Sequence, residues 1–198
     1  MTHSSPLLDA LLARRSASAK HLIAPGPTAA ALDRILLAGS RAPDHGRLVP
    51  FRFFTIADEG REAFGAVLAA ASLEERPDLA AAEIDRAREK AHQGPCLIAL
   101  IARIDPEHPK IPASDQWLSA GCALENMVLA AQAEGLGVAI RSGKYLESAA
   151  VRRAFGLTAI EHFCCFLAIG SVSEWPPAKP KPALESIVSR WTGSTVGP

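Results

Sequence analysis

The sequence predicts an α+β or mixed α/β fold around a central sheet. Three observations lead there. Helical and strand-like segments alternate irregularly along the chain. Two continuous apolar runs, CLIALIARI (96–104) and FCCFLAI (163–169), read as buried strands. A long helical segment over 114–134 is apolar nearly all round, with Trp117, Leu118, Cys122, Leu124, Met127, Val128 and Leu129. A helix without a broad polar face needs cover on most sides, and in a chain this short part of that cover is expected from a second subunit.

The elements follow in order. PLLDALLAR (6–14) puts Leu7, Leu8, Leu11 and Leu12 on one helical face, and Arg14 and Arg15 close that helix. Residues 16–27 form a loop. Thr28 caps a helix that runs to about Gly39. RAPDHGRLVP (41–50) is a polar loop broken by two prolines and a glycine. FRFFTIA (51–57) is rich in strand formers, and Asp58 is placed to cap a helix to about Ser72. Pro77 begins another helix, with helix formers over 80–90, and Gly94-Pro95 ends it. After the 96–104 strand, Ser114 caps the long helix and Gly135 stops it. GVAI (137–140) is a short strand, 145–155 a helix and 163–169 the last buried strand. WPPAKPKP (175–182) suits an extended arm. The chain therefore divides into one domain, 1–174, and an arm, 175–198.

Composition narrows the function classes. The 198 residues are 48% hydrophobic, enough for a sizeable core. Lys+Arg and Asp+Glu are both 21, so no global basic field exists to hold nucleic acid or an anionic membrane. The most apolar long segment, 111–135, carries too many polar and charged residues to span a bilayer. Cys96, Cys122, Cys164 and Cys165 lie among apolar neighbours at spacings that suit neither zinc nor a disulfide framework. With no secretory leader visible, the cytoplasm is the expected compartment.

Three clusters carry chemistry. Arg14-Arg15-Ser16 presents two guanidiniums and a hydroxyl at a helix end, either a phosphate grip or solvated cations at a helix C-terminus. Arg141-Ser142-Gly143 follows directly on a buried strand, where ligands commonly sit. Two separate Arg-Ser pairs suggest one shared phosphate. Arg41-Ala42-Pro43-Asp44-His45-Gly46 gathers Arg, Asp and His in one loop, either to orient a polar ring or as a turn in which Asp44 bonds its own backbone. EGLGVAI lacks the third glycine of a dinucleotide fingerprint and opens into a strand. The glycines before Lys144-Tyr145 do not fit a P-loop.

RRSAS, RAPDHGRLVPFRFF, DQWLSAGCALENMVLAAQAEGLGVAIRSG and FCCFLAIGS, taken in that order, resemble the nitroreductase family, and within it a short bacterial branch named for NAD(P)H nitroreductases. The resemblance runs from about Leu7 to Ser171. It implies a nitroreductase-like α+β fold: a central, mostly antiparallel sheet flanked by helices, with a C-terminal arm reaching the partner subunit. It implies a homodimer with FMN at the subunit interface, and NAD(P)H as electron donor. Carried over by position, Arg14, Arg15 and Ser16 hold the phosphate and ribityl end. Arg141 closes on the same phosphate with Ile140 and Ser142 beside it. Arg41 and His45 contact the flavin, His45 by reaching the flavin held mainly by the other subunit. The nicotinamide cofactor is suggested near residues 130–135. Three departures stand out. Ser18 replaces a frequent arginine. Arg47, Val49 and Phe51 occupy the places of Asn, Gln and Trp. The amides that usually meet the ring edge are thus missing, and Arg47 is placed to replace one contact.

The implied reaction is reduction of nitro compounds or similar electron-poor small molecules by a ping-pong mechanism. FMN carries the electrons and no side chain is required as acid or base. Another flavin reaction on the same scaffold, such as quinone or enone reduction or dehalogenation, and a non-enzymatic dimeric binding module are the alternatives.

Overall fold

The computed structural model describes residues 5–193. Its helices are α1 (Pro6–Ala13), α2 (Ala29–Ser40), α3 (Arg61–Glu75), α4 (Ala81–Glu89), α5 (Ala113–Ala133) and α6 (Ala149–Ala154). Its strands are β1 (Leu22–Ile23), β2 (Phe51–Ile56), β3 (Cys96–Arg103), β4 (Gly137–Arg141) and β5 (Glu161–Val172). The expected α+β class is found. Every strand pairing is antiparallel, in the order β1-β5-β3-β2, with β4 also on β5.

Alternation along β3 divides the core. Leu97, Ala99 and Ile101 face one layer, with Phe64 and Leu68 of α3 and Val151 of α6. Ile98, Leu100 and Ala102 face the other, with Ile35 of α2 and Ala123, Met127 and Ala131 of α5. The period of two would place Phe163 and Cys165 on one side. They lie on opposite sides because Cys164 is an extra residue in β5: Leu100 pairs with Cys165 and Ile101 with Phe163. The bulge re-aims the second half of β5, so Cys165, Leu167 and Ile169 complete the α5 layer.

Several expected boundaries move. Thr28 does cap α2, its Oγ1 accepting from the Ala31 N–H at 3.2 Å. Asp58 caps nothing. A 3-10 turn over Asp58–Gly60 intervenes, and the Asp58 carboxylate accepts from Arg61 Nε instead. Pro77 lies in a turn and α4 begins at Ala81, where the Glu83 carboxylate takes the Ala80 N–H at 3.3 Å. Pro112, not Ser114, precedes α5. The helix expected over 145–155 splits into a 3-10 turn, Lys144–Glu147, and α6. Ser148 is extended there, and its Oγ caps the Val151 N–H. Glu74 takes the Ala149 and Ala150 N–H groups. A two-residue strand, β1, sits in the segment read as loop.

The arm segment is exposed over 177–193, with one 3-10 turn at Leu184–Ser186. Its last five positions, and the first four of the chain, lie outside the described residues. Among the described residues no helix is long and apolar enough to cross a membrane, and no group of His, Cys, Asp or Glu could hold a metal ion.

Candidate functional site

The first two arginine clusters flank β4: the backbone directly after Arg14-Arg15-Ser16 is bonded to the strand, and Arg141 ends it. Arg14 is the residue at which α1 stops, and its Nε lies 3.5 Å from Glu125 of α5. The Arg15 carbonyl accepts from Gln132 Nε2 at 2.9 Å, and its guanidinium carbon sits 4.3 Å from the centre of the Trp175 ring. Two residues on, the Ala17 N–H donates to the Val138 carbonyl at 2.9 Å, tying the chain there to β4. Arg141 ends that strand, three residues on, about 10 Å along it. The Arg14–Ser16 segment therefore runs beside β4, with Arg14 on Glu125 and Arg15 on Trp175, while the Arg141 side chain lies near Lys90 and Tyr145. Ser16 and Ser142 are exposed and Arg141 is half-buried. Ile140 is 42% exposed, an apolar side chain in the middle of a cationic edge.

Further charge surrounds Arg141. Lys90, at the end of α4, places its ammonium 4.3 Å from the centre of the Tyr145 ring. Burial, and then the charge of Arg141, hold the Lys90 ammonium below the usual lysine range, with Glu75 opposing. Burial pushes the Tyr145 hydroxyl up, while Arg141 pulls it down. Gly143 makes this approach possible. Its φ is 149°, and a Cβ there would stand 2.7 Å from the Tyr145 ring. Lys90 and Tyr145 gave no signal in the sequence, because each looks like an ordinary helix residue.

The third cluster lies elsewhere. Arg41 is exposed at the C-terminal end of α2. His45 opens a 3-10 turn, His45–Arg47, and its Nδ1 lies 2.8 Å from Asp115 Oδ2 in the first turn of α5. Asp44 bonds its own backbone: Oδ2 accepts from the Val49 N–H at 2.7 Å, while Oδ1 is buried without a partner. Arg47 (φ 57°) and Val49 (φ 48°) are both in the left-handed region, which is costly for a β-branched residue. Of the residues at departing positions, Arg47 and Val49 are exposed, but Phe51 is core, 6% exposed and stacked on Phe53. Phe51 therefore packs the sheet and leaves the site.

Helix α5 separates these two regions. Asp115 and Gln132 are 17 positions apart, about 25 Å along a helix. Within one chain, His45 is far from the Arg15 segment. Between them the outward face of α5 is an open apolar groove lined by Ser114, Trp117, Leu118, Gly121, Cys122 and Glu125. Trp117 is 43% and Leu118 68% exposed, and the four leucines of α1 are exposed as well. The 130–135 end of α5 is already engaged: Arg34 clasps Glu134 with two bonds of 2.7 Å, and Gln132 holds Arg15.

Known proteins resemble this chain in sequence and in fold. The model of the family described as "Nitroreductase family" matches residues 11–171. The chain is 43% identical over 164 residues to "Putative NAD(P)H nitroreductase YdjA" of Escherichia coli (strain K12), covering 83% of this chain and 87% of that one. It is 39% identical over 168 residues to a Haemophilus influenzae protein of the same designation, covering 84% and 90%. Among solved structures, a nitroreductase-like family protein from Bacillus cereus superposes with a TM-score of 0.82 at 21% identity, over 98% of this chain and 100% of that one. A Desulfovibrio desulfuricans structure, described as "a putative nitroreductase in complex with fmn", gives 0.71 at 24% identity, over 94% and 98%. At these identities the superpositions speak for the fold.

Proposed function

This chain belongs to the nitroreductase family, and on that premise we propose that it is a homodimeric FMN oxidoreductase. It uses NAD(P)H to reduce nitro compounds or similar electron-poor small molecules by a ping-pong mechanism. The observation that carries the reading is the β4 edge, where Ala17, directly after Arg14-Arg15-Ser16, is bonded to the strand that Arg141 ends. FMN suits the donor set there. Its phosphate carries up to two negative charges, which three guanidiniums and the Ser16 and Ser142 hydroxyls can meet, each charge-assisted bond contributing about 1.5–3 kcal/mol. Exposed Ile140 offers an apolar surface for the ring.

When bound, FMN supplies the two-electron relay between nicotinamide and acceptor. The chain binds, orients and shields. Arg14, Arg15 and Arg141 seat the phosphate. The positive charges of Arg141 and Lys90 favour a negatively charged group nearby. The outward face of α5 and the α1 leucines form the contact between copies, and the arm extends it. If two copies of α5 pack antiparallel about Gly121, the partner subunit's His45 comes to the arginine end. A two-fold axis does this for both sites at once.

The visible spectrum of the purified protein tests the proposal. A flavin spectrum that bleaches with NADH or NADPH and returns with a nitroaromatic is the expected outcome. A colourless protein that ignores added FMN sinks it.

A further inference from the structure

We propose that His45, oriented by Asp115, delivers the proton that acceptor reduction consumes. This rests on the flavoenzyme reading above, and it gives a side chain a chemical task in a reaction otherwise left to the cofactor and solvent.

The geometry is that of an aimed imidazole. A carboxylate only accepts hydrogen bonds, so the 2.8 Å contact with Asp115 Oδ2 puts the hydrogen on Nδ1 and turns Nε2 outward. Nε2 has no partner among the described residues, and the side chain is 63% exposed. Asp115 stands in the first turn of the 21-residue α5. The Ser114 hydroxyl approaches its other oxygen at 3.4 Å.

The turn that carries His45 is held against its own preferences. Left-handed Arg47 and Val49 persist because the Asp44–Val49 bond closes the loop and Gly46 is seated against Ile111. Strained backbone of this kind is kept where the surroundings over-determine a side chain's direction. A surface ion pair alone needs no such loop.

The charged groups around His45 come from three elements. Asp115 is the contact from α5. Arg41, Asp44 and Arg47 lie on its own loop, with Asp44 committed to the Val49 N–H. His108 and Lys110 lie in the segment that brings Ile111 to Gly46, and His108 Nδ1 already accepts the Lys110 and Ile111 N–H groups.

The balance is NAD(P)H + R–NO2 + H⁺ → NAD(P)⁺ + R–NO + H2O. The two electrons come from NAD(P)H by way of the flavin, one N–O bond breaks, and the oxygen leaves as water. The His45 imidazolium hands over the H⁺ from Nε2, which leaves the neutral Nδ1–H form, and it regains a proton from solvent before the next turnover.

The test uses the flavin-loaded enzyme and the variants His45→Gln, Asp115→Asn and Asp115→Glu. Flavin pre-reduced with NAD(P)H is reoxidised by a nitroaromatic or by ferricyanide, which takes electrons without a proton. The ratio of the two rates cancels changes in cofactor seating. His45→Gln should lower that ratio about 100-fold. Asp115→Asn should lower it too, and Asp115→Glu should restore it. Independently of activity, ¹⁵N spectra of the imidazoles should show the Nδ1–H form at His45 in wild type and a redistribution in Asp115→Asn. An unchanged ratio in His45→Gln, or the Nε2–H form in wild type, overturns the proposal while leaving the flavoenzyme reading intact. A wild type that never bleaches with NAD(P)H overturns both.

Discussion

The two faces of α5 have opposite constructions. Inward, Ala120, Ala123, Met127, Val128 and Ala131 are 0–3% exposed, and the small residues let the helix lie close to the sheet and to Gly39 of α2. Outward, Trp117 and Leu118 stand open on either side of Gly121. A chain covering only its own core would put its largest apolar groups inside. Large apolar groups kept outside mark a surface meant for another molecule. The same helix thus closes one core and, on the proposed dimer reading, begins a second.

The contrast predicts unequal consequences for substitution. Leu118→Asp has the largest effect. It places a charge in the middle of the outward face, so size-exclusion chromatography should show a monomer, flavin should be lost and turnover should fall at least about 100-fold, while circular dichroism stays native. Met127→Ala, one face away, should cost about 2–5 kcal/mol in urea unfolding yet leave the flavin-to-protein ratio of the folded enzyme unchanged. If Met127→Ala loses flavin and Leu118→Asp keeps it, the assignment of the two faces is reversed.

At the cationic end, Arg14→Ala and Arg141→Ala should each weaken FMN binding about tenfold or more, read by fluorescence titration of the flavin-free protein. Stoichiometric flavin after extensive dialysis of either variant would contradict a shared phosphate grip.

The smallest expected effect concerns the core. Burial pushes the Cys165 thiol up to about 12 from an ordinary 9.0, and Cys96 to about 11. Unfolded thiols lose their protons near 9 while the folded ones keep theirs. Rising pH above that point therefore favours the unfolded chain, and stability falls toward the folded values. The melting temperature should drop between pH 8 and pH 10.5, and drop less in Cys165→Ala.

Much of this molecule is legible in local patterns. The 96–104 run became an eight-residue strand, and Thr28 became a cap. Other features were not, because they depend on contacts far apart in the chain. Nothing near Ser148 foretells that Glu74 binds two N–H groups of α6. Asp115 reads as a polar residue near a helix start until the turn from the other end of α2 sets His45 beside it. Phe51 resembles a ring contact by position and is a packing residue by burial. FMN, the dimer and the reach of His45 between subunits came from family resemblance, since composition and spacing carry no record of them.

Residue periodicity and turn chemistry act over a few positions, so they settle which segments are helix or strand, which faces are apolar and where arginines cluster. Which apolar face closes on the sheet and which stays open, the parity change at Cys164, and the tethering of Ala17 to β4 were decided only on folding. Those outcomes follow from close packing and hydrogen-bond satisfaction between segments about a hundred residues apart, and no local pattern encodes a partner at that distance.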